Sequence, residues 1–262
     1  MELKEVMGRR RSIRFLNPHK PVEREKIQMM FEASRIASHW GNVGSLRGIA
    51  VFRDSAPKEV LESLTSPIAG YQIRLAPVSI VWFLETAAVD QQSDRLLELC
   101  RVGALGYGEG KEEAIREQLF PIFKNIAETT KAPGLGEVDC GQGIAQATLM
   151  AFDLGLGTCC LGTPHGEQIR QNLGMPESCR ILLIQTVGYP AESPEAGGQR
   201  PRQPFEDLFH LDGYGNAFPR SQEVVDELTS DRMLQAPAPL PWREAELEYL
   251  QKALDLKGNG LL

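Results

Sequence analysis

Seven residues, Val78-Ser79-Ile80-Val81-Trp82-Phe83-Leu84, form an almost unbroken apolar run rich in β-branched and aromatic side chains. No polar face alternates through the run. It therefore predicts a central strand covered on both sides, not a strand with one wet face. Such a strand needs sheet neighbours and helices layered over it, and the chain supplies both. Gly48-Ile49-Ala50-Val51-Phe52 and Ile181-Leu182-Leu183-Ile184-Gln185-Thr186-Val187-Gly188 predict two further strands. Pro21-Val22-Glu23-Arg24-Glu25 opens a helix, with proline just ahead and acids in the first turn. Along it Ile27, Met30, Phe31, Ser34 and Ala37 recur at helical spacing.

Residues 139–154 predict a long helix. Asp139 stands where it can cap the N-terminus, and Gly155 follows the other end in the position of a left-handed cap. Ile144, Ala147, Thr148, Ala151 and Leu154 line one face, while Gly141, Gly143, Ala145, Ala147 and Ala151 leave room for another helix to approach closely. Shorter helices are predicted over residues 2–10, 57–64 and 167–173, and an amphipathic one over 245–256. Residues 90–131 predict two helices separated near Gly106-Tyr107-Gly108, the second kinked at Pro121; a lid and an exchange arm both fit this region. Residues 211–241, proline-rich and without long apolar periodicity, predict an extended tail. No internal repeat and no linker divides the 262 residues.

The charge balance restricts partners. A net charge of −7 argues against general binding to nucleic acid or to an anionic membrane. No apolar run reaches the ~20 residues of a membrane helix, and the N-terminus has no apolar signal core. Five cysteines with no framework spacing point to reduced thiols in a cytoplasm. Adjacent Cys159 and Cys160 are expected to be inert packing. With no Cys-x-x-Cys and four scattered histidines, a structural metal site has no support. Gly155-x-Gly157 fails as a dinucleotide fingerprint, because Cys160 occupies the third glycine position. Residues 106–111 fail as a phosphate loop, because Leu105 replaces the first glycine and Glu112 the Ser/Thr.

One stretch carries chemistry. Arg9-Arg10-Arg11-Ser12-Ile13-Arg14 packs four guanidinium groups and a hydroxyl into six residues. Guanidinium offers a rigid fork of donors suited to phosphate oxygens. By itself the stretch is equally a solvated basic run at a helix end or a nucleic-acid patch. The order of four segments gives it more meaning: Arg10-Arg11-Ser12-Ile13-Arg14-Phe15; Ala37-Ser38-His39-Trp40-Gly41-Asn42; residues 139–162; and Val187-Gly188-Tyr189-Pro190 with Arg200 and Arg202. Together they resemble the nitroreductase family of flavin mononucleotide (FMN) enzymes, over residues 2 to about 208.

That resemblance implies an α+β fold with a mixed central sheet flanked by helices, built as an intertwined homodimer with FMN at the interface. Residues 1–210 would be the FMN-binding domain, and residues 211–262 a C-terminal extension wrapping that domain or the partner subunit. Arg10, Arg11, Ser12 and Arg14 would bind the phosphate and the polar edge of the ring, with Arg200 or Arg202 closing over the phosphate. Ser38, His39 and Asn42 would sit near the ring or ribityl chain; His39-Trp40 also fits a core pair. Leu161 and Gly162 would bring backbone N–H groups near flavin N5. No side chain is assigned as a catalytic acid. The implied activity is hydride transfer from NAD(P)H through FMN to a small organic acceptor such as a nitroaromatic or quinone. Asn42-Val43-Gly44-Ser45-Leu46 departs from the family's Asn-x-Gln-Pro-Trp. This departure keeps two alternatives in view: a specialised flavoenzyme of the same fold (dehydrogenase, dehalogenase or flavin-modifying) and a non-enzymatic flavin binder.

Overall fold

A computed structural model describes residues 1–65 and 68–260. Its helices are α1 (Leu3–Arg9), α2 (Arg24–Arg35), α3 (Lys58–Leu64), α4 (Tyr71–Leu75), α5 (Gln92–Arg101), α6 (Lys111–Ala114), α7 (Phe120–Lys131), α8 (Leu135–Asp153), α9 (Gly166–Asn172), α10 (Phe205–Leu208), α11 (Gln222–Ser230) and α12 (Leu240–Ala253). Four strands, β1 (Leu46–Phe52), β2 (Val78–Glu85), β3 (Gly157–Leu161) and β4 (Cys179–Gly188), form one sheet in the order β1-β2-β4-β3.

The apolar run at residues 78–84 is the central strand that its composition predicts. β2 is buried along seven of its eight residues. Side chains alternate along it between two helical layers. Val78, Ile80 and Trp82 pack with Ile27 and Met30 of α2 and Ile144, Ala147 and Ala151 of α8. Val81 faces the other way, with Val60 and Leu64 of α3, Ile73 of α4 and Ile169 of α9. Burying each large apolar side chain contributes roughly 1.5–3 kcal/mol, so this strand anchors both layers.

Trp82 is also satisfied as a polar group. Its indole N–H donates to Gln185 Oε1 at 2.8 Å, and Gln185 Nε2 donates to Thr148 Oγ1 at 2.8 Å. Phe31 meets the indole edge-on, with centroids 5.6 Å apart. Small residues bring α8 close: a Cβ on Gly143 would lie 2.4 Å from Leu46 Cδ2 and 3.0 Å from Ser34 Oγ of α2.

The structure refines several expectations. Every pairing among the four strands is antiparallel, and the parallel component is a single bridge between Ser12 and Thr158. β2 and β3 run in the same direction but do not pair, because β4 lies between them. The long helix begins at Leu135, four residues before Asp139. Glu137 in its first turn accepts the Gly134 N–H at 2.7 Å, so Asp139 is not a cap; its carboxylate accepts the Trp40 N–H at 2.8 Å. Gly155 takes the expected left-handed conformation, φ 76°.

Between α6 and α7 the chain forms one π turn, Ile115–Leu119, immediately before Phe120-Pro121. Proline has no N–H to continue the ladder, which accounts for the break. The predicted tail at residues 211–241 is not wholly extended, because α11 lies within it. Lys4 of α1 pairs with Glu227 of α11 and the adjacent Asp231, each at 2.6 Å. Leu250 of α12 packs with Phe15, Tyr71 and Leu75. The last two residues of the extension, 261 and 262, lie outside the described residues. No helix among the described residues is long and apolar enough to cross a membrane.

Candidate functional site

The arginine stretch leaves α1 and becomes extended. Ser12 bridges Thr158, and the Ile13 N–H donates to Thr158 O at 2.9 Å. Leu16 then bridges Pro190. Gly157 makes this approach possible, since a Cβ there would lie 2.8 Å from Ile13. Successive residues of an extended chain face opposite ways. Arg11, Ile13 and Phe15 are accordingly buried, while Arg10, Ser12 and Arg14 remain half-exposed.

The guanidinium of Arg11 donates to Gly8 O at 2.5 Å, Arg10 O at 3.0 Å and Gln235 Oε1 at 2.9 Å. Burial pushes it below the usual arginine range. Its bonds all run inside the chain, so Arg11 fastens α1 to the extension, with Arg10 and Arg200 among its charged neighbours.

Arg10, Ser12 and Arg14 lie around Cys159: burial pushes its thiol up and Arg14 pulls it back, Glu192 adds to the rise, and Arg10 and Ser12 oppose it; Arg14 is also a neighbour of Arg200. Burial, then the neighbouring cations Arg14 and Arg243, push the Arg200 guanidinium below its usual range, with Glu192 opposing and exposed Arg202 adding to the push. Among the described residues, neither the Arg10 nor the Arg200 guanidinium has a hydrogen-bond or ion-pair partner. Among the described residues the Arg14 guanidinium reaches only Ser12 O, at 3.3 Å from Nη1, and the buried counter-charge there, Glu192, is already paired with Arg243 at 2.5 Å. Under-compensated guanidinium forks held close together form a site for an oxyanion such as phosphate.

A cavity of about 740 Å³ adjoins this cluster at Arg14 and runs between α4 and α12, with Phe15, Tyr71, Gln72 and Leu247 in its wall. Gln72 is 3% exposed, and its Oε1 has no hydrogen-bond partner. Buried amide oxygens are rarely left unpaired; Gln72 stands in the wall of a cavity large enough for a cofactor-sized ligand. Sequence reasoning passed over Gln72, Glu192 and Arg243. The available signal for Gln72 was a lone amide in Tyr71-Gln72-Ile73-Arg74-Leu75, directly before the central strand. Burial also pushes the Tyr71 phenol up.

The remaining predicted residues lie elsewhere in the chain. Ser38, His39 and Asn42 belong to the loop before β1, where Gly41 and Asn42 are both left-handed, with φ 56° and 57°. His39 Nδ1 is buried without a partner, and burial lowers the imidazole pKa. Its charged neighbours are Asp139 and Arg47, not the arginine cluster. Trp40 stacks against Phe123 of α7, with centroids 5.0 Å apart. Leu161 and Gly162 close the free end of β3. None of these five predicted residues, nor Arg202, lines the cavity beside Arg14.

A family model described as the nitroreductase family matches residues 7–189. Among curated proteins, an NADPH-dependent oxidoreductase of Staphylococcus haemolyticus is 30% identical over 119 residues, 45% of this chain and 47% of its own length. An FMN reductase (NAD(P)H) of Bacillus subtilis is 30% identical over 138 residues, 52% and 48% of the two chains. The chain thus spans about half the length of these curated relatives. A protein of Exiguobacterium sibiricum crystallised in complex with FMN shares the fold, with a TM-score of 0.64 at 19% identity over 81% of this chain and 98% of its own.

Proposed function

The chain belongs to the nitroreductase family, and on that premise we propose that it is an FMN-dependent oxidoreductase that takes reducing equivalents from NAD(P)H and delivers them to a small organic acceptor. The observation that carries this reading is an arginine cluster with few partners beside a cavity whose wall includes Gln72, a residue with an unpartnered amide oxygen. These are two needs that one ligand meets: a phosphate at one end and a ring bearing an N–H donor at the other. The residues present fit FMN on that ground.

When bound, the flavin supplies the two-electron chemistry, accepting hydride from the nicotinamide and passing it on. The protein's own part is binding and orientation. Arg10, Ser12, Arg14 and Arg200 would donate to the phosphate, with Arg202 at the rim. Arg14 and Gln72 would orient the polar edge of the ring. Leu161 and Gly162, at the end of β3, are proposed to bring backbone N–H groups to the ring. No side chain is assigned to proton transfer.

We also propose a homodimer. It is supported by an exposed apolar face over α1, α2 and α8, where Leu3 and Ile36 are 64% and 72% exposed beside a groove of about 840 Å³. A partner subunit would bring its loop of Ser38, His39 and Asn42 to the ring, which a single chain does not. Residues 211–262 are proposed as an extension that completes the cavity wall. A cytoplasmic location is part of the same proposal, supported by five free thiols. A nitroaromatic or quinone is the default acceptor. The altered loop at residues 42–46 favours, as the second reading, a specialised acceptor on the same site.

The test is a visible absorption spectrum of protein purified without added cofactor, before and after anaerobic NADPH and NADH. Bound flavin that bleaches supports the oxidoreductase. Flavin that does not bleach points to the specialised enzyme or to a non-enzymatic binder. A colourless protein that also fails to take up FMN refutes the proposal.

A further inference from the structure

Glu192 is a carboxylate with no exposed surface. Its Oε1 accepts the backbone N–H of Arg14 at 2.5 Å and of Phe15 at 3.0 Å. Its Oε2 accepts Arg243 Nη2 at 2.5 Å. Arg243 comes from α12, far beyond the family match, and its other arm pairs with Glu246. Glu246 in turn accepts the Ser193 N–H at 2.5 Å. The chain thus closes a ring of Glu192, Arg243, Glu246 and Ser193 directly behind the arginine stretch.

A buried carboxylate without a partner is strongly disfavoured, and it draws in whichever cation is nearest. Arg14 and Arg200 are cations near it without an ion pair: the Arg14 backbone N–H donates to Glu192, and both Arg14 and Glu192 act on the Arg200 guanidinium. Neither forms an ion pair with it among the described residues; Arg243 does. We propose that Arg243 is a positioning residue for the anion site: by neutralising Glu192 it leaves Arg14 and Arg200 free to donate to the phosphate of FMN. The inference rests on the reading of the arginine cluster as the phosphate site. It makes the C-terminal helix part of the cofactor's affinity without its touching the cofactor.

The test uses the full-length apoprotein titrated with FMN and, separately, with riboflavin, which lacks the phosphate, following quenching of flavin fluorescence. In Arg243→Met the unpaired Glu192 recruits Arg14 or Arg200. FMN binding should weaken by at least about tenfold, the equivalent of losing one charge-assisted contact, while riboflavin binding stays within about twofold. The double variant Glu192→Gln/Arg243→Met removes both charges and keeps an oxygen for the Arg14 and Phe15 N–H groups. It should recover FMN affinity to within about threefold of wild type.

Unchanged FMN binding in Arg243→Met overturns the inference. So does a double variant as weak as the single one, which would mark Arg243 as a mere tether for α12, and so does a parallel loss of riboflavin. If Arg243→Met does not fold, Glu192→Gln alone decides: FMN binding held or tightened supports the inference, and selective loss of FMN refutes it. A wild-type protein that binds riboflavin as tightly as FMN refutes the phosphate site itself, and this inference with it.

Discussion

Gln72→Leu should make the apoprotein more stable and the flavin complex weaker. Gln72 is 3% exposed, and its Oε1 has no partner. A buried acceptor left unsatisfied costs roughly 1–3 kcal/mol. Leucine has a similar volume and removes that cost, and apolar Phe15, Tyr71 and Leu75 share the cavity wall with this position. A net gain of about 1–2 kcal/mol corresponds to a rise in apoprotein Tm of roughly 2–6 °C for a domain of this size. The same change removes an acceptor for a ring N–H, a loss near 1 kcal/mol and about a five- to tenfold weakening of FMN binding. The Tm increment produced by FMN should therefore shrink. Differential scanning fluorimetry of both proteins, with and without FMN, measures both effects. If the Gln72→Leu variant melts lower than wild type in the apo state, yet gains as much from FMN, the reading of Gln72 as a ligand-facing orphan is refuted.

Arg10→Met and Arg200→Met should each weaken FMN about tenfold to a hundredfold at low salt and leave riboflavin unaffected, because a charge-assisted bond contributes roughly 1.5–3 kcal/mol; a flavin titration reads this directly. Arg11→Met should do the reverse. Removing its bonds to Gly8, Arg10 and Gln235 lowers stability by about 1.5–3 kcal/mol, while the ratio of FMN to riboflavin affinity measured in the same titration stays put. Cys140 is buried, and its thiol is pushed up to about 12, from 9 when unfolded. It should resist Ellman's reagent at pH 8 until the protein unfolds. Its folded pKa is the higher one, so its contribution to stability is intact below pH 9 and is lost as pH rises toward 12; denaturant titrations of wild type and Cys140→Ala across that range should diverge. Ile36→Glu, on the exposed apolar face, should shift the proposed dimer to monomer by light scattering.

What the sequence made legible follows where its signals are strong. β2 stands out as an unbroken apolar run from Val78 to Leu84, and α2 and α8 because their burial repeats with the helical period, from Ile27 to Ser34 and from Ile144 to Ala151. β3 was hidden. Gly157-Thr158-Cys159-Cys160-Leu161 has little strand character alone, and its conformation is imposed by β4 on one side and Ser12 on the other. α11 was masked by the prolines around it. Asp139 misled because a good capping residue four positions inside a helix looks the same in sequence as one at its start.

At the site, the grouping of Arg10, Ser12 and Arg14 with Arg200 came from the family resemblance, and the structure makes Arg14 and Arg200 electrostatic neighbours. Arg11 looked equivalent to its neighbours, and only the extended conformation of the stretch separates odd positions from even ones. Gln72, Glu192 and Arg243 carry no local motif. Their roles come from burial and from partners distant in the chain.

That distance matters for how the site comes into being. The Arg10–Arg14 stretch has no conformation of its own to hold it: α1 ends at Arg9, and beyond it the backbone is fixed by Thr158, Tyr189, Pro190 and Glu192. The family match ends at residue 189, yet Glu192, Arg200, Gln235 and Arg243 all lie past it. The cations at the start of the chain are thus set in place largely by its last third. Loop-closure entropy opposes each of these contacts until the sheet and α8 have formed. The anion site should accordingly appear late in refolding: flavin quenching should lag the recovery of the Trp82 environment, and the lag should lengthen when α12 is loosened from Glu192.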